Sequence, residues 1–213
     1  MSSQKEILIG VVKSISKKLI DAEKILTELD SPIGDADCGT GVKRGFTAVQ
    51  KEIPGLYSLD PPDILKKVGF TLACTIGGTS GAMLGTGFIE TGKALAEKPG
   101  LSLHSITEAL ENALSVIKRR GGNTKVGDKT LVDSLQPAVE SIKTSIGSGQ
   151  QDLTLILEKA LVAAKQGSDK TVDLIARKGR ASYLGDRSKG HRDPGSVVIC
   201  LMFEAVLDFL KSV

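Results

Sequence analysis

The stretch ILIGVVKSISKKLIDAEKILTEL, residues 7–29, decides the fold class. Within it Ile7, Val11, Ile15, Leu19, Ala22, Leu26 and Leu29 step by three or four, which places them on one face of a long first helix. The same period returns along the chain and predicts further helices over 40–52, 61–75, 81–97, 103–120, 130–146, 153–176 and 194–211, eight in all. Several begin with their own punctuation: Asp60-Pro61, Ser102, Asp152 and Asp193-Pro194 set an N-cap oxygen or a first-turn proline ahead of an apolar run. Alternating strand patterns bounded by hairpin turns are absent, so an all-α architecture is expected. Pro137 lies inside the sixth expected helix, where it should kink or locally break it.

Composition narrows the class. With 213 residues, 40% hydrophobic and 25% charged, the chain suits a single domain, 1–213, able to bury a full core. No run approaches the roughly 18 apolar residues of a membrane span, and the start lacks an apolar leader core, so a cytoplasmic protein with no membrane partner is expected. Cys38, Cys74 and Cys200 are odd in number and far apart, which argues against a disulfide framework or a thiolate zinc site. A net charge of +3 and 3% aromatics without Trp speak against nucleic acid as a partner.

Glycine complicates the simple bundle. Of the 24 glycines many sit in connections: Gly34, Gly39 and Gly41; Gly77, Gly78 and Gly81; Gly121, Gly122 and Gly127; Gly185, Gly190 and Gly195. If eight helices alternate up and down, the first, third, fifth and seventh connections share one rim, and these are the glycine-rich ones. Glycine lets backbone N–H groups approach an anion closely, and helix N-termini at that rim favour phosphate.

The first of these connections, LDSPIGDADCGTG over residues 29–41, carries Asp30, Asp35 and Asp37. Three carboxylates on one short loop repel unless a cation lies among them, and hard oxygen ligands suit Mg²⁺ before Ca²⁺. The bland alternative is a solvated loop of Asx turns and N-caps. Likewise Gly77-Gly78-Thr79-Ser80-Gly81 is either an ordinary turn or a phosphate cradle with Thr79 and Ser80 as hydroxyl donors. Residues 87–94, GFIETGKA, nearly match a nucleotide-binding P-loop but lack the terminal hydroxyl residue and the preceding strand, so they are expected to be helix interior. The last long connection, 180–195, is dense in cations; Arg180 and Arg187 are candidates for neutralising phosphate charge, whereas Arg119, Arg120, Arg177 and Lys178 sit near helix ends and complement the macrodipoles. His191 reads as a solvated loop residue and His104 as structural or exposed.

Five segments, IGDADCG (33–39), GGTSG (77–81), GDKT (127–130), ASYLG (181–185) and HRDPG (191–195), together and in this order resemble the nucleotide-binding L subunit of dihydroxyacetone kinase, over essentially the whole chain. That resemblance implies a closed ring of eight antiparallel helices holding ADP or ATP with two Mg²⁺ ions at one end. Matched residue by residue, it implies that Asp30, Asp35 and Asp37 bind the Mg²⁺ pair, that Cys38, Gly39, Thr40 and Gly41 wrap the phosphates, and that Thr79 and Ser80 form a second phosphate loop. Gly121 and Leu131 would line the nucleotide pocket, with Arg180, Asp193, Pro194 and Gly195 closing over it. The implied reaction is phosphoryl transfer to dihydroxyacetone held on a separate K subunit; a homodimer is a further candidate assembly.

One position departs from the pattern. Forms of the family that keep ADP bound and recharge it through a phosphotransferase-system protein usually have His where this chain has Cys38, and single-chain kinases that consume ATP commonly have Cys there. The tract YLGDRS (183–188) and the stand-alone length resemble the bacterial subunit form, which favours the phosphotransferase-coupled donor. A kinase for a related small ketose, and a nucleotide-loaded regulatory module that binds a transcription factor, are the alternatives. Beside three carboxylates a Cys38 thiolate is disfavoured, so a packing role is expected for it.

Overall fold

The computed structural model describes residues 3–98 and 102–213. It is all-helical: nine α-helices and two 3₁₀ segments, with no strand among the described residues. The helices are α1 (Gln4–Asp21), α2 (Glu23–Asp30), α3 (Cys38–Leu56), α4 (Pro61–Thr75), α5 (Gly78–Ala96), α6 (Leu103–Arg120), α7 (Val132–Gly147), α8 (Leu153–Lys170) and α9 (Pro194–Leu210). The 3₁₀ segments are Thr171–Asp173 and Arg180–Ser188.

Eight helices were expected, and the ninth arises because the first one is broken at Ala22. That residue leaves the helical region (φ −84°, ψ 3°), yet the Ala22 and Leu26 amides still donate to the Lys18 and Ala22 carbonyls at 3.1 Å each. The buried stripe Leu19, Ala22, Leu26 runs straight through the break. A change in direction that keeps both the hydrogen bonds and the apolar period leaves no mark on periodicity. At the other end, α8 stops at Lys170 instead of residue 176: the Thr171 hydroxyl donates to the Ser168 carbonyl at 2.6 Å and the chain tightens into a 3₁₀ turn. Pro137 does not interrupt α7. The Asp133 carbonyl, which it deprives of a helical donor, faces α8 where Gly167 comes so close that a Cβ would sit 2.0 Å from that oxygen.

Helix neighbours follow chain order, and the last returns to the first. α3 packs on α1, α2 and α4; α4 on α5; α5 on α6; α6 on α7; α7 on α8; α8 on α9; and α9 on α1. The tightest of these pairings is α4 with α5, where Gly69 and Gly85 face each other and a Cβ on either would meet the other's carbonyl oxygen at 2.5 Å. The α9–α1 contact is sealed by Ser14 Oγ donating to the Ala205 carbonyl at 2.8 Å and by Gly10 against the Phe209 ring.

The largest buried cluster joins Ile9, Val12, Leu19 and Leu26 of α1 and α2 to Val42, Phe46 and Val49 of α3, Leu72 of α4, and Val198 and Ile199 of α9. Burying each such side chain contributes about 1.5–3 kcal/mol, which is why these helices hold together despite their sparse aromatics. Among the described residues no helix is long and apolar enough to cross a membrane.

Contacts link the four glycine-rich connections. The connections before α3, α5, α7 and α9 touch one another, as detailed below. Those before α4 and α8, and the one before α6, whose residues 99–101 lie outside the described residues, belong to the opposite rim of that scheme. Four helices therefore begin at the same end of the molecule, each presenting N–H groups without intrahelical partners.

Candidate functional site

Asp30 ends α2, is buried, and turns its Oδ2 back to accept from the amides of Asp37 (3.0 Å) and Cys38 (3.2 Å), so it caps α3 from outside. The intervening loop is compact: the Gly34 amide donates to the Asp30 carbonyl at 2.6 Å, and buried Ile33 anchors it. A Cβ at Gly34 would lie 2.0 Å from Asp30 Oδ1, so only glycine lets the loop close over that carboxylate. Ala36 adopts φ 58°, a left-handed conformation that residues with side chains seldom take, and places Asp35 and Asp37 on either side of it. One carboxylate oxygen from each of Asp30, Asp35 and Asp37 lies within 4.8 Å of the others.

The turn that follows is pressed against its neighbours. A Cβ at Gly39 would lie 2.1 Å from the Glu23 carbonyl oxygen and 2.2 Å from Thr27 Oγ1, and one at Gly41 would lie 2.8 Å from the Ile76 carbonyl oxygen. Thr40 Oγ1 donates to the Asp37 carbonyl at 3.0 Å and is exposed. Arg44, one turn on, donates to the carbonyls of Thr75 and Ile76 at 2.6 Å each, tying α3 to the third connection. There Gly77 (φ 90°) makes the entry to α5, and Thr79 and Ser80 lie exposed in its first turn. Residues 87–94 are interior to α5, as expected for a false P-loop match.

The fifth and seventh connections form the other half of the rim. Gly121 caps the C-terminus of α6, and Leu131, 3% exposed, precedes α7. A Cβ built on Gly195 would be 3.5 Å from that of Leu131, so the starts of α7 and α9 are in direct contact. Asp193 caps α9 by accepting from the Ser196 amide at 2.6 Å, with Pro194 buried behind it. Across the rim, Arg180 Nε meets Asp35 Oδ2 at 2.9 Å, which joins the seventh connection to the first. The His191 carbonyl accepts from Lys129 Nζ, and exposed His104 pairs with Glu108 at 3.3 Å at the start of α6.

Electrostatics follow from this crowding. The Asp37 carboxyl is held above its ordinary value, by desolvation first and then by Asp35 and Asp30. Burial pushes the Cys38 thiol up to about 12, with Asp30, Asp193, Asp37 and Asp35 adding to it. Asp193 is pushed up to about 7 by desolvation, with Asp133 and Asp30 reinforcing and Lys129 opposing. Such a concentration of carboxylates with Arg180 as the ion-pair partner of Asp35 fits a cation of higher charge density. With its thiol held so high, Cys38 of the metal-free protein should stay protonated at pH 8. Brief iodoacetamide treatment of the EDTA-stripped native chain should therefore label exposed Cys74 and leave Cys38 and buried Cys200 intact. Intact-mass analysis reads this as one adduct, and rapid labelling of Cys38 would contradict the burial described here.

Three participants escaped sequence reasoning. Arg44 carries no sequence signal that sets it apart from an ordinary helix cation. Asp133 accepts from the Gly127 and Thr130 amides at 2.7 Å each, shaping the fifth connection. Lys129, 2% exposed, is buried under the seventh connection with its ammonium among backbone carbonyls. A lysine between Asp128 and Thr130 in a glycine-bounded turn carries the sequence signal of a solvated cation, so only the fold could reveal its burial.

Comparison with known proteins yields consistent likenesses. The family model described as the DAK2 domain matches residues 32–208. The chain is 40% identical over 182 residues to the ADP-binding subunit DhaL of the PEP-dependent dihydroxyacetone kinase of Escherichia coli K12, covering 84% of each. It is 34% identical over 207 residues to the ADP-binding subunit DhaL of PEP-dependent dihydroxyacetone kinase 1 of Listeria innocua, covering 97% of this chain and 98% of that one. Among solved structures it superposes on the dihydroxyacetone kinase of C. freundii in its native form with a TM-score of 0.74 at 25% identity, covering 97% of this chain and 35% of that one. The chain thus spans about a third of that protein's length.

Proposed function

We infer that this chain, which belongs to the DAK2 domain family, is the nucleotide-binding subunit of a dihydroxyacetone kinase. Acting as one domain over residues 1–213, it holds ADP or ATP at the rim and passes a phosphoryl group to dihydroxyacetone carried on a separate K subunit in the cytoplasm. The observation that carries this is the convergence of Asp30, Asp35 and Asp37 within 4.8 Å at the end of the molecule where α3, α5, α7 and α9 begin.

In this proposal Asp30, Asp35 and Asp37 hold a pair of Mg²⁺ ions, with Asp30 doubling as the cap of α3. Bound there, Mg²⁺ would supply positive charge to neutralise the phosphates. The Cys38 to Gly41 turn, through the Gly39 and Thr40 N–H groups, and the hydroxyls of Thr79 and Ser80 would donate to the remaining phosphate oxygens at the helix starts. Gly121, Leu131 and the Asp193-Pro194-Gly195 turn wall the nucleotide, and Arg180 neutralises phosphate charge from above Asp35.

The phosphoryl donor is a phosphotransferase-system protein that recharges bound ADP in place. Support comes from the two DhaL relatives, both PEP-dependent and both matched over most of their length. Cys38 favours the other reading, a subunit that exchanges ATP freely. Native mass spectrometry of the purified chain with Mg²⁺ decides between them. Retained ADP that resists chase by ATP is the expected result, free exchange would select the ATP-dependent form, and a chain that binds no nucleotide would refute the function proposed.

A further inference from the structure

Lys129 is the most deeply buried cation among the described residues, and its ammonium donates to the carbonyls of Thr171 (2.8 Å), Leu174 (3.2 Å), Ser188 (2.7 Å) and His191. Two of these lie on the outgoing limb of the 171–193 connection and two on the returning limb. An ammonium has three N–H donors and no acceptor, and four carbonyls of one loop share them. The residue also sits at φ 63°, a backbone conformation that a side chain makes unfavourable. Buried lysines are rare and an apolar residue of similar size would fill the same space at lower cost, so the core alone does not explain a lysine here.

The rest of the loop base is polar as well. The Ala176 amide donates to Ser188 Oγ (2.9 Å), the Gly190 amide to the Val172 carbonyl (2.7 Å) and the Asp193 amide to Thr171 Oγ1 (3.0 Å). Thr171 and Ser188 are fully buried, whereas between the limbs Arg180 is exposed and reaches Asp35. The Arg177 amide donates to the Asp128 carbonyl at 3.1 Å, so the fifth connection grips the loop a second time beside Lys129.

We propose that Lys129 is a positioning residue: by binding both limbs of the 171–193 connection it holds Arg180 over the aspartate loop and keeps the rim closed on its nucleotide. This rests on the function proposed above, and the tests separate the two.

In the reconstituted kinase, with K subunit and phosphoryl donor, Lys129→Met keeps the buried volume and removes the donors. It should lower kcat by about 10²-fold, the scale of a misplaced catalytic group. Arg180→Ala, costly in the natural chain, should then add less than about twofold on the Lys129→Met background, because residues acting through one another are non-additive. Full additivity, or a Lys129→Met enzyme within about twofold of the parent, overturns the proposal.

Should Lys129→Met fail to fold, hydrogen exchange decides it without turnover. In the natural chain the amides of Ala176, Gly190 and Asp193 should be protected with or without nucleotide. Lys129→Arg, which keeps the charge but cannot seat a planar guanidinium among the four carbonyls, should speed their exchange about 10²-fold while α1 to α6 stay unchanged. Unprotected loop amides in the natural chain, or a uniform rise across all helices in the variant, refute the latch. A natural chain that holds no nucleotide yet shows the protected loop would refute the kinase function and leave the latch standing.

Discussion

Asp35→Ala should lower phosphoryl transfer by about 10³-fold or more and abolish retention of ADP, while leaving the fold intact. Asp35 lies on the loop surface, and the side-chain ion pair it makes is the exposed one with Arg180. An exposed pair is worth at most about 1 kcal/mol, and removing one of three crowded carboxylates relieves repulsion, so the metal-free melting temperature should hardly move. What should vanish is the stabilisation by ligand: the natural chain gains melting temperature with Mg²⁺ and ADP together, and the variant gains none. Retention of nucleotide by Asp35→Ala at parental strength would show the aspartate cluster to be an inert capping loop.

The second large effect is steric. Gly39→Ala places a methyl group 2.1 Å from the Glu23 carbonyl oxygen and 2.2 Å from Thr27 Oγ1. The first obstacle is helix backbone and cannot rotate away, so α3 must lift off α2 at the turn expected to wrap the phosphates. A loss of about 3 kcal/mol in urea unfolding is expected, at the upper end of overpacking penalties, together with weakened nucleotide binding. Gly55→Ala in the last turn of the same helix is the control, because a Cβ there meets nothing within 4 Å. It should be neutral or stabilising by about 0.5–1 kcal/mol. If both variants unfold at the same urea concentration, the close approach of α2 and α3 does not set the geometry of the turn.

These two expectations differ in where their grounds lie. The three aspartates are visible in the sequence because like charges packed within eight residues demand a reason, and glycine-rich connections alternating with helices place that reason at one rim. The clash at Gly39 is invisible there: its spacing from Glu23 and Thr27 in sequence says nothing about how closely α3 crosses α2. Helix type and most boundaries were legible from the 3.6-residue period and the capping residues. The break at Ala22 was not, since neither the apolar stripe nor the hydrogen-bond ladder is interrupted by it.

The sequence by itself determined the all-helical class, the distribution of glycine and carboxylate along the chain, and the candidate ligands, because these depend on local period, local sterics and local charge. The tertiary structure alone decided that Arg180 faces Asp35, that Asp30 caps the helix following its own loop, and that Lys129 lies buried among four carbonyls. Each of those joins residues whose encounter is set by helix packing, and a cation's sequence neighbours do not tell whether water or another loop will cover it.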